Sequence, residues 1–295
     1  MKVLVFGSLN IDLIFSVDHI VGPGETISST SLIKSAGGKG ANQAAALAKA
    51  GMSVYMAGKI GPDGAFLLSL LQSYGVNTRR VNRYDGATGQ ALIQLDKNKQ
   101  NAIMLFAGGN AQITIDEILS TLAEFNPGDI IVLQNEIVHL REIMEAAKKR
   151  GLTLCLNPSP YDQKIETLPL DLVNMFFVNE IEGAALAGME GEPSLPRVLD
   201  GLAARFPGAE IILTAGKDGA YYGFQDIREK GTIIDMPVVD TTGAGDTFTG
   251  YFIAARNRAY SVPQALEIAC KAASYAVSRK GAMEAIPTAS EIFPL

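Results

Sequence analysis

Tryptophan is absent from the 295 residues, and cysteine and histidine occur only twice each. Cys155 and Cys270 both sit in apolar contexts, which excludes a disulfide framework and a cysteine-based zinc site and makes the cytoplasm the expected compartment. His19 and His139 are far apart, with no Asp or Cys partner at ligand spacing, so histidine general-base chemistry is not expected. No apolar run approaches the roughly 20 residues needed to cross a bilayer. The N-terminal MKVLVFGSLNIDLIF is interrupted by Asn10 and Asp12 and is followed by no signal-type cleavage site. Positive charge is also scarce: 25 Lys and Arg against 31 Asp and Glu leave a net charge of −6. Nucleic-acid affinity rests mostly on basic residues neutralising phosphates, so no nucleic-acid or membrane partner is expected. A single anionic ligand in a local site is compatible with this balance.

What is present reads as a folded protein, with 47% apolar and 19% charged residues. The length suits one large α/β domain, 1–295. Short β-branched runs at 3–7, 130–134, 153–157, 174–178 and 211–216 alternate with helical patterns at 40–50, 64–74, 114–125, 138–150, 179–187 and 194–206. A helical pair at 245–258 and 262–279 follows. This order predicts a mostly parallel sheet covered by helices. Thr114-Ile-Asp-Glu117 has the spacing of a capping box. Two stretches, about 11–36 and 87–107, alternate polar and apolar residues, and Asp96-Lys-Asn-Lys looks like a hairpin tip between strands. They predict a small antiparallel sheet outside the main one, serving as a lid.

Three glycine-bearing segments carry candidate chemistry. In VVDTTGAGDTFTG, residues 238–250, Gly243, Ala244 and Gly245 enter a helix, where successive N–H groups and the helix dipole suit an anion. A carboxylate there, Asp246, would repel a phosphate unless it takes a proton from a hydroxyl that attacks the phosphoryl group. The same Asp also fits a plain helix cap. SAGGKGANQAA, residues 35–45, lacks the Walker A spacing. It nonetheless offers Gly38, Lys39 and Asn42 at a helix start, and it also fits an ordinary tight turn. In GSLNID, residues 7–12, Asn10 and Asp12 follow a buried strand and face the same way, which suits neighbouring hydroxyls.

Taken together, these motifs resemble the ribokinase (PfkB-type) family of sugar and nucleoside kinases over essentially the whole chain. The resemblance implies a Rossmann-like, three-layer α/β/α fold with a β lid and transfer of the ATP γ-phosphate to a sugar hydroxymethyl. Asp246 falls on the family's catalytic base, and Gly243, Ala244 and Gly245 fall on its anion hole. Asn10, Asp12, Gly38, Lys39, Asn42 and Glu136 match positions that hold sugar hydroxyls, and Ala91 and Ile93 match positions that cover the apolar face of the sugar. Asn179 and Glu182 match an N-x-x-E element that organises Mg²⁺ through water. Thr214, Ala215, Gly216, Lys217, Asp218 and Gly219 match the nucleotide loop. Asp240, Thr242, Ala276, Arg279, Gly281 and Ala285 match a monovalent-cation site, K⁺ by analogy. Ala285 stands where the family usually has Ser, so one side-chain oxygen is lost. The family also implies a homodimer through the lid. The competing readings are a kinase of the same fold acting on another sugar or a nucleoside, and a non-catalytic sugar sensor.

Overall fold

The structure, a computed structural model, describes residues 1–98 and 100–293. Val3–Phe6 shows why the sheet lies inside the molecule. Val3 and Val5 enter one apolar cluster, while Leu4 and Phe6 enter a second on the opposite face. Ile130–Gln134 alternates in the same way. Strands apolar on both sides need cover on both sides. One face receives the helices Lys39–Lys49, Ala65–Ser73, Ala244–Asn257 and Val262–Val277. The other receives Ile115–Leu122, Leu140–Lys149, Glu180–Leu186 and Leu195–Arg205. The result is the three-layer α/β/α arrangement. The capping box at the start of Ile115–Leu122 is made in both directions: Thr114 Oγ1 accepts from Glu117 N–H and Thr114 N–H donates to Glu117 Oε2.

From edge to edge the main sheet runs Ile227–Gly231, Ala220–Phe224, Glu210–Thr214, Met175–Asn179, Thr153–Asn157, Ile130–Gln134, Val3–Phe6, Val54–Ile60 and Asn77–Arg83. All pairings are parallel except the two at the Ile227 edge. After Val3–Phe6 the chain adds strands on one side, then returns to place Ile130–Gln134 on the other. That reversal opens a crevice at the carboxyl ends of these two strands, the usual ligand position in such sheets. Gly7-Ser8 and Asn135-Glu136 lie at its mouth.

The small sheet has the order Ser31–Gly37, Asn10–Ser16, Gly89–Leu95, Asn101–Phe106. Its two outer pairings are antiparallel, whereas the central one, Asn10–Ser16 with Gly89–Leu95, is parallel. Each of the two central strands is the continuation of an excursion that leaves the carboxyl end of a parallel main-sheet strand, so both head the same way. Of the expected hairpin tip, Asp96 Oδ1 accepts from the N–H groups of Asn98 and Gln100; Lys99 lies outside the described residues. The sheet is thinly covered. Ile103, Met104, Leu105 and Phe106 on one edge strand and Leu32 and Ile33 on the other are all exposed.

Candidate active site

The helix Lys39–Lys49 is rich in alanine and packs against Ala244–Asn257 so closely that a Cβ on Gly250 would lie 2.5 Å from Ala46 Cβ. Only glycine permits that approach. One helical turn toward the N-terminus from each contact residue stand Asn42 and Asp246, on the same faces. Accordingly Asn42 Nδ2 donates to Asp246 Oδ2 at 3.0 Å, and Gln43 Nε2 donates to Oδ1 at 2.9 Å. Gln43 is held in turn by Gln134, whose Nε2 donates to Gln43 Oε1 at 2.6 Å. Both glutamines are fully buried. Motif reading passed over them, although a Gln beside Asn42 in GANQAA was the available signal.

Asp246 does not cap its helix. The cap position is Gly243, whose φ of 73° lies in the left-handed region that favours glycine. Asp246 lies in the first turn with its side chain turned to the neighbouring helix. Among the described residues the N–H groups of Gly245 and Asp246 make no main-chain hydrogen bond, and that of Ala244 reaches only Thr241 O at 3.3 Å. Free first-turn donors of this kind suit an anion.

They open onto a cavity of about 780 Å³, within the range of small-ligand pockets. Lys39 and Asp246 line it at one end, and Asn179, Glu182 and Thr214 line it elsewhere. Gly216, Lys217 and Gly219 also face it, whereas Ala215 is buried beneath that turn and Asp218 is exposed to solvent. Phe248, Ile234 and Val277 contribute an apolar wall. Asn179 and Glu182 form a capping box: Asn179 Oδ1 accepts from Glu182 N–H at 2.8 Å and Glu182 Oε2 from Asn179 N–H at 3.2 Å. Glu182 is buried, not a solvated face of the helix. Among the described residues no cluster of three or more His, Cys, Asp or Glu is arranged to hold a metal.

On the other side of Asp246 stands the lid. Register places Asn10 opposite Gly89, Asp12 opposite Ala91 and Ile14 opposite Ile93, so that period-2 alternation puts Asn10, Asp12, Ala91 and Ile93 on one face. Asn10 is oriented by Asn110, which donates from Nδ2 to Asn10 Oδ1 at 2.7 Å and accepts from Leu9 N–H through Oδ1. Glu136 Oε2 accepts from Lys39 N–H at 3.1 Å and from the Ser8 hydroxyl; Gly40 N–H in turn donates to Ser8 Oγ. Gly38, with φ of 92°, precedes the helix at this junction. Asn110 lies outside the glycine motifs, and Ser8, although inside GSLNID, was passed over for Asn10 and Asp12.

Burial, with Glu136 and then Glu284 adding repulsion, pushes the Asp12 carboxyl up to about 7. Burial also raises Glu136, against the pull of the Ser8 hydroxyl and of Lys39. Behind the anion-binding turn, Asp240 Oδ1 accepts from the Thr242 N–H and hydroxyl, and Oδ2 accepts from Gly281 N–H at 3.0 Å. Burial opposes the charge on Asp240, but these bonds outweigh it and hold the carboxyl below its ordinary range. Ala276 O accepts from Arg279 N–H, and Ala285 is buried. The donors available to a cation here are all oxygens, a set that fits a hard ion, with none from the side chain at position 285.

A model of pfkB family carbohydrate kinases matches residues 1–289. The chain is 33% identical to the ribokinase of Bacillus subtilis over 99% of its own length and 98% of the relative's. It is 30% identical to a deoxyribokinase of Salmonella typhi, covering 98% of this chain and 96% of that one. The solved structure of Arabidopsis thaliana ribokinase complexed with ribose and ATP superposes with a TM-score of 0.87 at 30% identity, over 99% of this chain and 97% of that one.

Two outcomes test this geometry. Because folding raises the Asp12 carboxyl, its contribution to stability is complete below the ordinary carboxylate range and is lost as pH rises through about 7. Asp12→Asn should therefore raise the Tm of the ligand-free protein at pH 8, with the gain shrinking toward pH 5. A gain that does not vary with pH would refute the burial argument. Gln43→Leu, which removes the donor to Asp246 Oδ1, should lower kcat by about tenfold while leaving both KM values within about threefold. An unchanged kcat would show that Asn42 alone orients the carboxylate.

Proposed function

The chain belongs to the pfkB family of carbohydrate kinases, and from that premise we propose that it transfers the γ-phosphate of ATP to the primary O5 hydroxyl of D-ribose. The observation that carries the reading is the placement of Asp246. Its two oxygens rest on side-chain amides while its own helix turn offers free N–H donors to an anion, and the carboxyls of Glu136 and of Asp12 in the lid stand on its other side. In this reading the sugar lies against Asn10, Asp12, Gly38, Lys39, Asn42 and Glu136 under Ala91 and Ile93. The nucleotide occupies the cavity along Asn179, the 214–219 turn and Gly245.

The sugar hydroxyl attacks the γ-phosphorus in line, Asp246 takes its proton, and the bond to the bridging oxygen of ADP breaks. The N–H groups of Gly243 to Asp246 receive the negative charge of the transferring group. Holding the hydroxyl against the phosphorus is worth up to ~7–11 kcal/mol of the barrier. A general base supplies about 3–5, so the polar contacts that fix the sugar matter more than the proton acceptor. Mg²⁺ would be held through water by Asn179 and Glu182, and a monovalent cation, K⁺ in this reading, by Asp240 and by oxygens at Thr242, Ala276, Arg279, Gly281 and Ala285. Together they would supply positive charge to balance the phosphates.

The substrate is further restricted by charge. Asp12 and Glu136 are half-buried with Lys39 as a neighbouring cation of Glu136, and desolvation pushes both carboxyls upward. A neutral polyol can donate to such carboxylates, whereas a sugar acid adds another negative charge and is disfavoured. The deoxyribokinase relative keeps a deoxy sugar as the second reading. Residues 1–295 form one kinase domain in this account, with the lid segments 11–36 and 87–107 inserted in it, and a cytoplasmic setting suits its two free thiols.

The lid edge Asn101–Phe106 is open to pairing and exposes apolar side chains on both of its faces, as expected of a surface covered by a second subunit. We read this edge as the contact of a homodimer.

Asp246→Asn should cut kcat by at least ~100-fold while ribose and ATP binding persist. Turnover within a few fold of the parent would sink the base assignment. Across ribose, deoxyribose, fructose, 2-keto-3-deoxygluconate and nucleosides, ADP production should be fastest with ribose and poorest with the sugar acid. Met104→Asp should convert a dimer to a monomer in light scattering; a parent protein that is already monomeric refutes the lid contact.

A further inference from the structure

The helix that presents Asn42 and Gln43 to Asp246 ends in Lys49, just under one turn beyond the Ala46 contact with Gly250. The Lys49 side chain is half-buried, and its ammonium is turned back onto the protein. It donates to Met283 O at 2.7 Å and to Ile286 O at 2.9 Å, and it lies 4.3 Å from the centroid of the Tyr74 ring. Two carbonyls and an aromatic face form a small cation site that a side chain already fills.

The carbonyls belong to the loop 281–286, and that loop braces the anion-binding turn. Its Gly281 N–H donates to Asp240 Oδ2, Asp240 Oδ1 accepts from Thr242 N–H, and a Cβ placed on Gly243 would meet Ala282 Cα at 3.5 Å. The links therefore close a ring: Lys49, the loop, Asp240, the Gly243 turn, the Asp246 helix, the Gly250–Ala46 crossing, and back along Lys39–Lys49. Lys49 is the polar tie between this helix and the loop, added to the apolar packing of Met283 and Ile286 in the core.

We propose that Lys49 is a positioning residue for phosphoryl transfer: its ammonium ties the loop behind the anion-binding turn to the helix that orients Asp246, fixing acceptor and phosphate sites relative to each other. This rests on the kinase reading above. Lys49 touches neither sugar nor nucleotide, so its effect falls on alignment and not on affinity.

The test compares Lys49→Met and Lys49→Arg with the parent enzyme, using ribose and ATP, or whichever sugar of the panel is turned over fastest. Lys49→Met should lower kcat on the order of tenfold with both KM values within about twofold. Lys49→Arg, which keeps a charged donor, should recover most of that loss. Amide exchange at Gly281 and Thr242, whose N–H groups both bond to Asp240, should quicken in Lys49→Met and return toward the parent rate in Lys49→Arg. If Lys49→Met does not fold, Lys49→Gln, which keeps one N–H donor without charge, should show the same split. A kcat within twofold of the parent, a loss confined to KM, or unchanged exchange overturns the proposal. Should the parent turn over no sugar, the kinase reading fails separately, and the exchange experiment still decides whether the tether exists.

Discussion

Two helices can bring their polar first turns together only if nothing stands between them one turn further on. Gly250 meets that condition: its missing side chain lets Ala46 come close enough that Asn42 and Gln43 reach Asp246. A methyl group at position 250 would have to push the helices apart, and amide-to-carboxylate bonds of about 3 Å do not survive such a shift. The glycine in the DTFTG tail of the motif is thus a spacing requirement of the site, set by packing and expressed in chemistry. The Gln43–Gln134 bond extends the same constraint into the sheet, so the strand at the switch point and the helix above it share one buried polar network.

The lid side of the site follows a different economy. Asp12 and Glu136 are carboxyl groups partly withdrawn from water, and the cost of that burial raises both above the ordinary carboxylate range. A ligand that donates several hydroxyl hydrogens relieves it. In the proposed reading, a preference for neutral polyols would arise from these acceptors, which penalise an occupant that cannot donate to them. Asn110 and Ser8 fit the same picture: each satisfies one face of a sugar-side residue from behind and leaves the other face free.

The main-sheet strands legible in the sequence were those buried on both faces, whereas the lid strands showed themselves by alternation. Val54–Ile60 carries a glycine and a lysine, and Asn77–Arg83, NTRRVNR, is a half-exposed edge strand, so neither stood out as a buried run. Ala220–Phe224, AYYGF, is short and interrupted by a glycine, and Ile227–Gly231, IREKG, is a polar edge strand, so neither stood out. Glycine motifs marked the site well because close approach and left-handed turns demand a particular residue type. Residues that act through a partner leave no such mark. Gln43, Gln134 and Asn110 are amides whose meaning depends on contacts 91 to 203 positions away in the chain, and Lys49 looked like any lysine at a helix end.

The N-x-x-E element shows how a bland local reading and a functional one can be the same structure. Asn179 and Glu182 satisfy each other's N–H groups, and this reciprocal cap would be justified by helix stability alone. It also fixes the carboxylate. With Oε2 engaged by the Asn179 N–H, Glu182 has lost most of its rotamer freedom, and it lines the cavity from a buried position. An ion that sheds water reluctantly is better served by a rigid acceptor for its hydration shell than by a mobile direct ligand. In the proposed reading, the residue that ends the strand and starts the helix would serve helix stability and the ion with one pair of hydrogen bonds, and a substitution that keeps the charge but loses the cap would be expected to disturb both.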